Sequence, residues 1–445
     1  MPVERRGLTL WLKMLANSQG EEPVSEAKPY DIPKQLVWEA YQRVKANRGA
    51  AGVDGVSLTM FEQNLKGNLY KVWNRMSSGS YHPPPVRLVE IPKDNGAGTR
   101  PLGIPTVADR VAQTVVKMVL EPLVEPRFHP DSYGYRPGRS ALDAVGTARK
   151  RCWETDWVVD LDIKSFFDSI PHDLVERAVA HHTDLAWVRL YVGRWLRAPV
   201  ECPDGTLKER TKGTPQGGVA SPLLANLFLH YAFDLWIHRT YPGIRFERYA
   251  DDAIVHCRTE DEARSVLEAI RDRFAACGLE LHPEKTRIVY CKDDDRRGEY
   301  EHIKFDFLGY SFQPRRAKNR WGKYFVSFLP AISNKAAKAI RQTIRGWRMA
   351  STRNNQRLED LARFTDPVVR GWMNYYGRFY RSKCVQVLRH FNEALAQWAR
   401  WKFKRFKRRE RASRHWLGCI ARRDPNLFVL WTLGVRPGGW GVGAV

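Results

Sequence analysis

Apolar residues recur along this chain in two regimes. From Leu36, the positions Leu36, Ala40, Tyr41 and Val44 follow helical spacing, and the Gly-rich stretch Gly49 to Gly55 ends that helix. From about 86 to 330, short alternating runs are mixed with helical ones, whereas beyond about 333 the pattern is helical alone. Pro330, followed by Ser333 as an N-cap, marks the boundary.

Two alternating runs stand out. Trp157 to Ile163 reads W-V-V-D-L-D-I, a strand with Val159, Leu161 and Ile163 on one face and Val158, Asp160 and Asp162 on the other. Phe246 to Cys257 has β-prone residues on both sides of Ala250, Asp251 and Asp252, which predicts a hairpin with acids at its tip. Thr259 and Glu262 then form a capping box for a helix with Ala263, Val266, Leu267, Ile270 and Phe274 on one face, ending at Gly278.

After the boundary the pattern predicts three helices. The first carries an apolar stripe of Ala337, Ile340, Ile344 and Trp347, with Lys338, Arg341, Arg345 and Arg348 directed elsewhere. The second is read as starting at Asp366 as N-cap with Pro367 in its first turn, and carries Val369, Trp372, Tyr376 and Phe379. The third carries Leu388, Phe391, Leu395 and Trp398 and runs into a basic stretch that includes Arg405 and Arg408. The stripes are the core of a bundle, and the basic exterior is available to a partner.

Length and charge change this picture in two ways. A chain of 445 residues exceeds what a single core holds, so two or three packed units are expected. Lys+Arg 73 against Asp+Glu 49 gives a net charge of +24, interleaved with 16 Trp and 17 Tyr, which points to a polyanion such as nucleic acid. The seven cysteines are scattered with no C-x-x-C pair, which argues against zinc ribbons and disulfide frameworks and fits a reducing cytoplasm; the setting expected overall is bacterial and nucleoid-associated. The apolar run Leu8 to Leu12 is broken by Lys13, so no membrane partner is expected. The Glu-, Pro- and Ser-rich segment from Ser18 to Pro33 makes residues 1–35 a flexible lead-in.

An Asp pair in a turn is ordinary by itself, because Asp caps turns through its own backbone. Here a basic protein that must hold a phosphate-rich substrate places acids on a strand and at a hairpin tip. They would repel that substrate unless cations intervened, and two Mg²⁺ ions about 4 Å apart would serve an in-line displacement at phosphorus.

These residues also carry a family resemblance. Tyr249-Ala250-Asp251-Asp252 resembles the Y-A-D-D box of group II intron-encoded reverse transcriptases, and Leu161 to Asp168 (L-D-I-K-S-F-F-D) resembles their first-aspartate motif. Gly213 to Asn226 resembles the P-Q-G box, and Phe305 to Tyr310 (F-D-F-L-G-Y) the strand that grips the primer. Pro92-Lys93 and Arg100 to Pro105 lie upstream, and Arg370 to Tyr376 (R-G-W-M-N-Y-Y) lies downstream, in the family's order. The resemblance covers about 36 to 410. It implies an α+β right-hand polymerase with fingers and palm over 36–330 around an antiparallel sheet, an all-helical thumb and maturase region over 331–412, and a short tail over 413–445 that is either a DNA-binding segment or a docked terminus.

By that resemblance Asp162, Asp251 and Asp252 are the catalytic aspartates. With the carbonyl of Ile163 they would hold two Mg²⁺ ions, for which Mn²⁺ could substitute. Asp160 shares the face but lies outside the matched box and is not assigned as a ligand. Lys93 and Arg100 would fold onto the triphosphate from a hairpin turn over Asp94 to Thr99. Phe167 would lie under the sugar and exclude a 2′-hydroxyl, Gln216 would sit near nucleotide and template, and Lys285 near the departing pyrophosphate. Tyr249, Leu308 and Gly309 would contact primer and template. Lys338, Arg341, Arg345, Arg405 and Arg408 would contact RNA. The implied partners are group II intron RNA, an RNA template with its DNA primer, deoxynucleoside triphosphates and target DNA; a homodimer is left open. No Cys- and His-containing cluster follows Cys419, so target-strand cleavage is not expected of this chain. Three alternatives stay open: a maturase that mainly binds RNA, a relative recruited to repair or phage defence, and an RNA-copying RNA polymerase, against which Phe167 argues.

Overall fold

The computed structural model of the protein describes residues 28–92 and 98–438. The lead-in up to residue 27, Lys93 and the end of the tail with Trp440 lie outside the described residues.

Eleven strands among the described residues form three sheets. In chain order they are β1 (Val86–Pro92), β2 (Thr99–Ile104), β3 (Trp157–Leu161), β4 (Val200–Glu201), β5 (Leu207–Lys208), β6 (Arg245–Tyr249), β7 (Asp252–Cys257), β8 (Arg287–Tyr290), β9 (Phe305–Phe307), β10 (Tyr310–Lys318) and β11 (Tyr324–Ile332). The central sheet has the order β6-β7-β3-β8 with every pair antiparallel. A peripheral sheet runs β2-β1-β4-β5 and includes one parallel pairing, Val86 beside Val200. The third, β11-β10-β9, is antiparallel.

The alternation in β3 is realised. Val159 and Leu161, with Val255 opposite, enter the main apolar core, whereas Val158, Ile254 and Val289 enter a smaller core under the Ala141–Glu154 helix and β9–β11. The central sheet is therefore covered on both faces, and Asp160, between Ile254 and Arg287 on the neighbouring strands, lies on the face of the smaller core. The Glu260–Ala276 helix buries Ala263, Val266, Ile270 and Phe274 against this sheet; Thr259 caps it, and Gly278 follows it at φ 74°.

The helical region begins where Ser333 accepts the amide of Ala336 and starts the Asn334–Gly346 helix. The second helix differs from expectation. It runs Leu358–Tyr376, so Asp366 and Pro367 lie inside it. The amide of Arg357, bonded to Asp360, opens the helix instead, and Asp366 accepts the amide of Val429, capping a different segment. Asp is a good N-cap, but which N-terminus it meets is decided by tertiary contact. The third helix, Arg381–Lys402, buries Leu388, Phe391, Leu395 and Trp398 as expected. A further helix, Glu410–Arg423, and Phe428, Trp431 and Val435 enter the same core, so packing continues past residue 412.

Candidate active site

The aspartates meet at the end of the central sheet. Tyr249 pairs with Asp252, leaving Ala250 and Asp251 as a two-residue turn with Ala250 at φ 58°. A non-glycine residue in this left-handed region costs on the order of 1 kcal/mol, so the turn must be held by its surroundings. Arg248, fully buried, does this. Its guanidinium donates to both oxygens of Asp234 (2.7 and 2.6 Å), to Asn226 Oδ1 (3.0 Å), to Ser132 Oγ (2.8 Å) and to the carbonyl of Ala250 (2.9 Å). Asn226 in turn donates to the carbonyl of Gly134 (2.6 Å), and a Cβ on Gly134 would stand 2.3 Å from the amide nitrogen of Ala250.

Asp162 follows β3 directly. Its carbonyl accepts the amide of His282 (2.8 Å), while the amide of Lys164 donates to Glu280 (2.9 Å). This leaves the carbonyl of the intervening Ile163 without a hydrogen-bond donor among the described residues. Partial desolvation raises the Asp252 carboxyl to about 6 although the residue stays exposed at the start of β7, helped by Asp251 and Asp162 and opposed by Lys335 and Arg100. Burial likewise raises Asp251, with Asp162 adding to the shift. Asp160 is pushed up to about 8 by burial first, then by Asp252, Asp162 and Asp306. The acids on this face thus repel one another, as expected of carboxylates assembled for cations.

The donor set is oxygen only, which suits Mg²⁺. Among the described residues no group of three or more His, Cys, Asp or Glu side chains is placed to hold a metal ion by itself. Mg²⁺ seldom uses one, taking one or two carboxylates and completing its shell with water and substrate phosphates. Carboxylates with raised pKa values and an unbonded Ile163 carbonyl fit that arrangement.

Of the nucleotide residues expected from the sequence, Lys285 and Arg100 act on the aspartates, whereas Phe167 and Gln216 anchor the P-Q-G loop. Lys285 lies 3.4 Å from the Asp162 carboxylate. Arg100, paired with Ile91 across the β1–β2 hairpin, carries a charge felt by both Asp251 and Asp252. Phe167 is half-buried against Phe166, and its carbonyl accepts the amide of Thr214 (2.7 Å), docking the P-Q-G loop. The carbonyl of Gln216 accepts the amide of Gly103 (2.6 Å), tying that loop to β2. Leu308 (φ 50°) and Gly309 (φ 79°) form the β9–β10 turn. Tyr375 Oη donates to the carbonyl of Leu308 (2.8 Å), and the amide of Ser333 to that of Gly309 (2.9 Å).

Among the RNA candidates, Arg341 and Arg345 line a cavity of about 490 Å³ with Arg348, His390, Arg400 and Trp401. Arg405 and Arg408 are exposed and outside that lining; Arg405 stacks over Phe406 instead. Sequence reasoning missed Arg248 with Asp234, Lys335, and Tyr135, an exposed ring 6.4 Å from that of Tyr249. The adjacent charges Glu247 and Arg248 in the middle of a β-prone run, both buried in the fold, were the signal available for the first.

Comparison with known proteins gives two family matches. Residues 91–312 match the model of the reverse transcriptase (RNA-dependent DNA polymerase) family, and residues 335–416 match the group II intron maturase-specific domain. Protein YkfC of Escherichia coli K12 is 32% identical over 333 residues, covering 66% of this chain and 84% of that protein. The chain belongs to the group II intron reverse transcriptase/maturase family. Group II intron-encoded protein LtrA of Lactococcus lactis is 35% identical over 205 residues, covering 45% of the chain. A putative COX1/OXI3 intron 1 protein of Saccharomyces cerevisiae is 30% identical over 325 residues, covering 61%. The chain spans only 33% and 37% of those two relatives' own lengths. Reverse transcription, with intron splicing and mobility, is the work of this family. No helix among the described residues is long and apolar enough to cross a membrane.

Proposed function

We propose that the chain copies RNA into DNA with Asp162, Asp251 and Asp252 as the acids that hold two Mg²⁺ ions, and that its helical region grips intron RNA for splicing and retromobility in a bacterial cytoplasm. In this reading residues 36–330 act as fingers and palm, 331–412 as thumb and maturase region, and 413–445 as an extension of the latter. The observation that carries it is the register of β3 on β7, Leu161 beside Ala253, which brings Asp162 next to the Asp251–Asp252 turn at one sheet end, where its charge raises both of those carboxyls.

The metal ions, when bound, would activate the primer 3′-oxygen and stabilise the departing pyrophosphate. The chain's own residues orient the reactants. Arg100, with Lys93, neutralises the triphosphate, and Lys285 is drawn from Asp162 toward the pyrophosphate as phosphate arrives. Phe167 excludes a 2′-hydroxyl, which favours deoxynucleotides over ribonucleotides. Gln216 borders nucleotide and template, while Tyr249, Leu308 and Gly309 place the primer. The Arg341, Arg345 and Arg348 groove, together with Lys338 and the separate Arg405 and Arg408 surface, supports RNA binding beyond the cleft. Target DNA would follow the same basic surface.

Primer extension on an RNA template with Mg²⁺ and deoxynucleotides tests this. The wild type should yield DNA and the Asp251→Ala, Asp252→Ala double variant none, with filter binding of RNA retained by both. Equal product from the two proteins would remove the aspartates from the chemistry. No product from either, across several templates and salt concentrations, would leave RNA binding as the function.

A further inference from the structure

The third sheet does more than present the Leu308–Gly309 turn. β10 leaves that turn and runs nine residues the other way, paired throughout with β11 from Tyr310 beside Ile332 to Lys318 beside Tyr324. At about 3.4 Å per residue its far end stands roughly 27 Å from Tyr310. On one face of this ribbon Tyr310, Phe312 and Phe328 are fully buried. Two pairs further out the same face carries Arg316, Lys318 and Tyr324, so a core stripe becomes a stripe of cations and a ring.

The tip is built rather than loose. Asn319 Oδ1 accepts the amides of Trp321 (3.0 Å) and Lys323 (2.9 Å), the Asn319 amide donates to the carbonyl of Lys323 (2.9 Å), and Gly322 supplies φ 84°. The ribbon is clamped on both sides of its middle. Tyr380 Oη donates to the carbonyl of Arg316 (2.8 Å), and the amide of Val326 donates to Asp294 (2.8 Å). Trp321 is nonetheless 75% exposed, with Tyr324 and Phe325 also at the surface. Arg320 lies 4.0 Å over the Trp321 ring and Arg316 3.9 Å over that of Tyr324.

A rigid turn that holds a large ring in water gains nothing from it in the free protein, so the ring's use lies in a partner. Charge identifies the partner. None of Arg316, Lys318, Arg320 and Lys323 has an ion-pair partner among the described residues. From Phe307 to Leu358 the chain has twelve Lys and Arg and no Asp or Glu. A second copy, also at +24, is the wrong complement. A base within an A-form duplex cannot reach a tryptophan ring, whereas an unpaired base stacks on one readily.

We propose that the β10–β11 tip is a second RNA-binding element, outside the polymerase cleft, that stacks an unpaired base of a structured RNA on Trp321 and holds the flanking phosphates on Arg316, Lys318, Arg320 and Lys323. It rests on the reading of the chain as an RNA-binding polymerase, and it places part of the grip on RNA at the end of β10 opposite the primer turn.

The test uses the full chain with its cleft first saturated by an unlabelled RNA-template/DNA-primer duplex. Binding of a fluorescein-labelled RNA stem-loop with an unpaired uridine-rich loop, and of a blunt RNA duplex of equal length, is followed by anisotropy. Trp321→Ala should weaken the stem-loop about tenfold, leave the duplex within twofold, and leave primer extension on a short template unchanged. Trp321→Phe should bind like the wild type. The proposal is overturned if Trp321→Ala leaves stem-loop affinity unchanged, if duplex affinity falls equally, or if primer extension falls with it, which would put the tip in the cleft. Dissolution of a wild-type dimer by Trp321→Ala in sedimentation would assign the surface to self-association and equally overturn it. A wild type that fails to extend primers yet shows the Trp321 effect would sink the polymerase reading alone.

Discussion

Two turns of equal length join neighbouring strands of this protein, and they are held in opposite ways. The β6–β7 turn, Ala250-Asp251, is fixed from within its own unit by the buried Arg248 guanidinium. The β9–β10 turn, Leu308-Gly309, is fixed from the helical region by Tyr375 and Ser333, and a Cβ on Gly309 would stand 3.1 Å from Tyr376 Oη. One places acids and must not move; the other is set against the helices that follow. The difference assigns separate consequences to damage in each unit.

Arg248→Ala should break the comparison most severely. It leaves the Asp234 carboxylate buried without its partner, so unfolding free energy should fall by about 3–5 kcal/mol in denaturant titrations, with loss of extension. A loss under 1 kcal/mol would mean the turn is held by something else.

Asp160 gives the next effect, through pH. Its folded-state pKa is raised to about 8, so the folded protein binds a proton that the unfolded chain releases near 4. Stability must therefore decline as pH rises from about 4 to 8. In metal-free buffer Asp160→Asn should raise Tm by roughly 3 °C or more at pH 8 and by almost nothing at pH 4; a shift that does not vary with pH would contradict this account.

Tyr375→Phe removes one hydrogen bond to the other turn, about 1 kcal/mol. The KM for primer-template should rise about fivefold while the KM for deoxynucleotide stays put, the signature of a displaced grip beside an intact carboxylate turn. An equal rise in both would erase the distinction between the two supports. The smallest effect has the opposite sign: Ala250→Gly relieves left-handed strain and should add about 0.5 kcal/mol, read from the unfolding midpoint.

Much of this was legible in the chain. Alternation predicted β3 and the aspartate hairpin because apolar residues on these strands enter a core on each face of the sheet. Helical spacing found the stripes of the last region because each buries a single face. What stayed hidden depended on distant partners. Asp366 has the chemistry of a cap, yet the helix it was expected to start already runs through it, and it bonds Val429 instead. Arg248 is one basic residue among 73, and only the fold places Asp234, Asn226 and Ser132 around it. The length of the β10–β11 ribbon was concealed because its outer half, rich in Arg and Lys, has no apolar face to alternate.

The dependence of the Leu308–Gly309 turn on Tyr375 also orders events in time. A ribosome adds about 5–20 residues per second, so the 67 residues between Leu308 and Tyr375 take roughly 3 to 13 seconds to emerge. Over that interval a nascent chain has the residues of its carboxylate hairpin but not the Tyr375 hydroxyl that holds the Leu308–Gly309 turn. A truncation anywhere in the interval would keep the carboxylate hairpin and remove the Tyr375 support of the other turn.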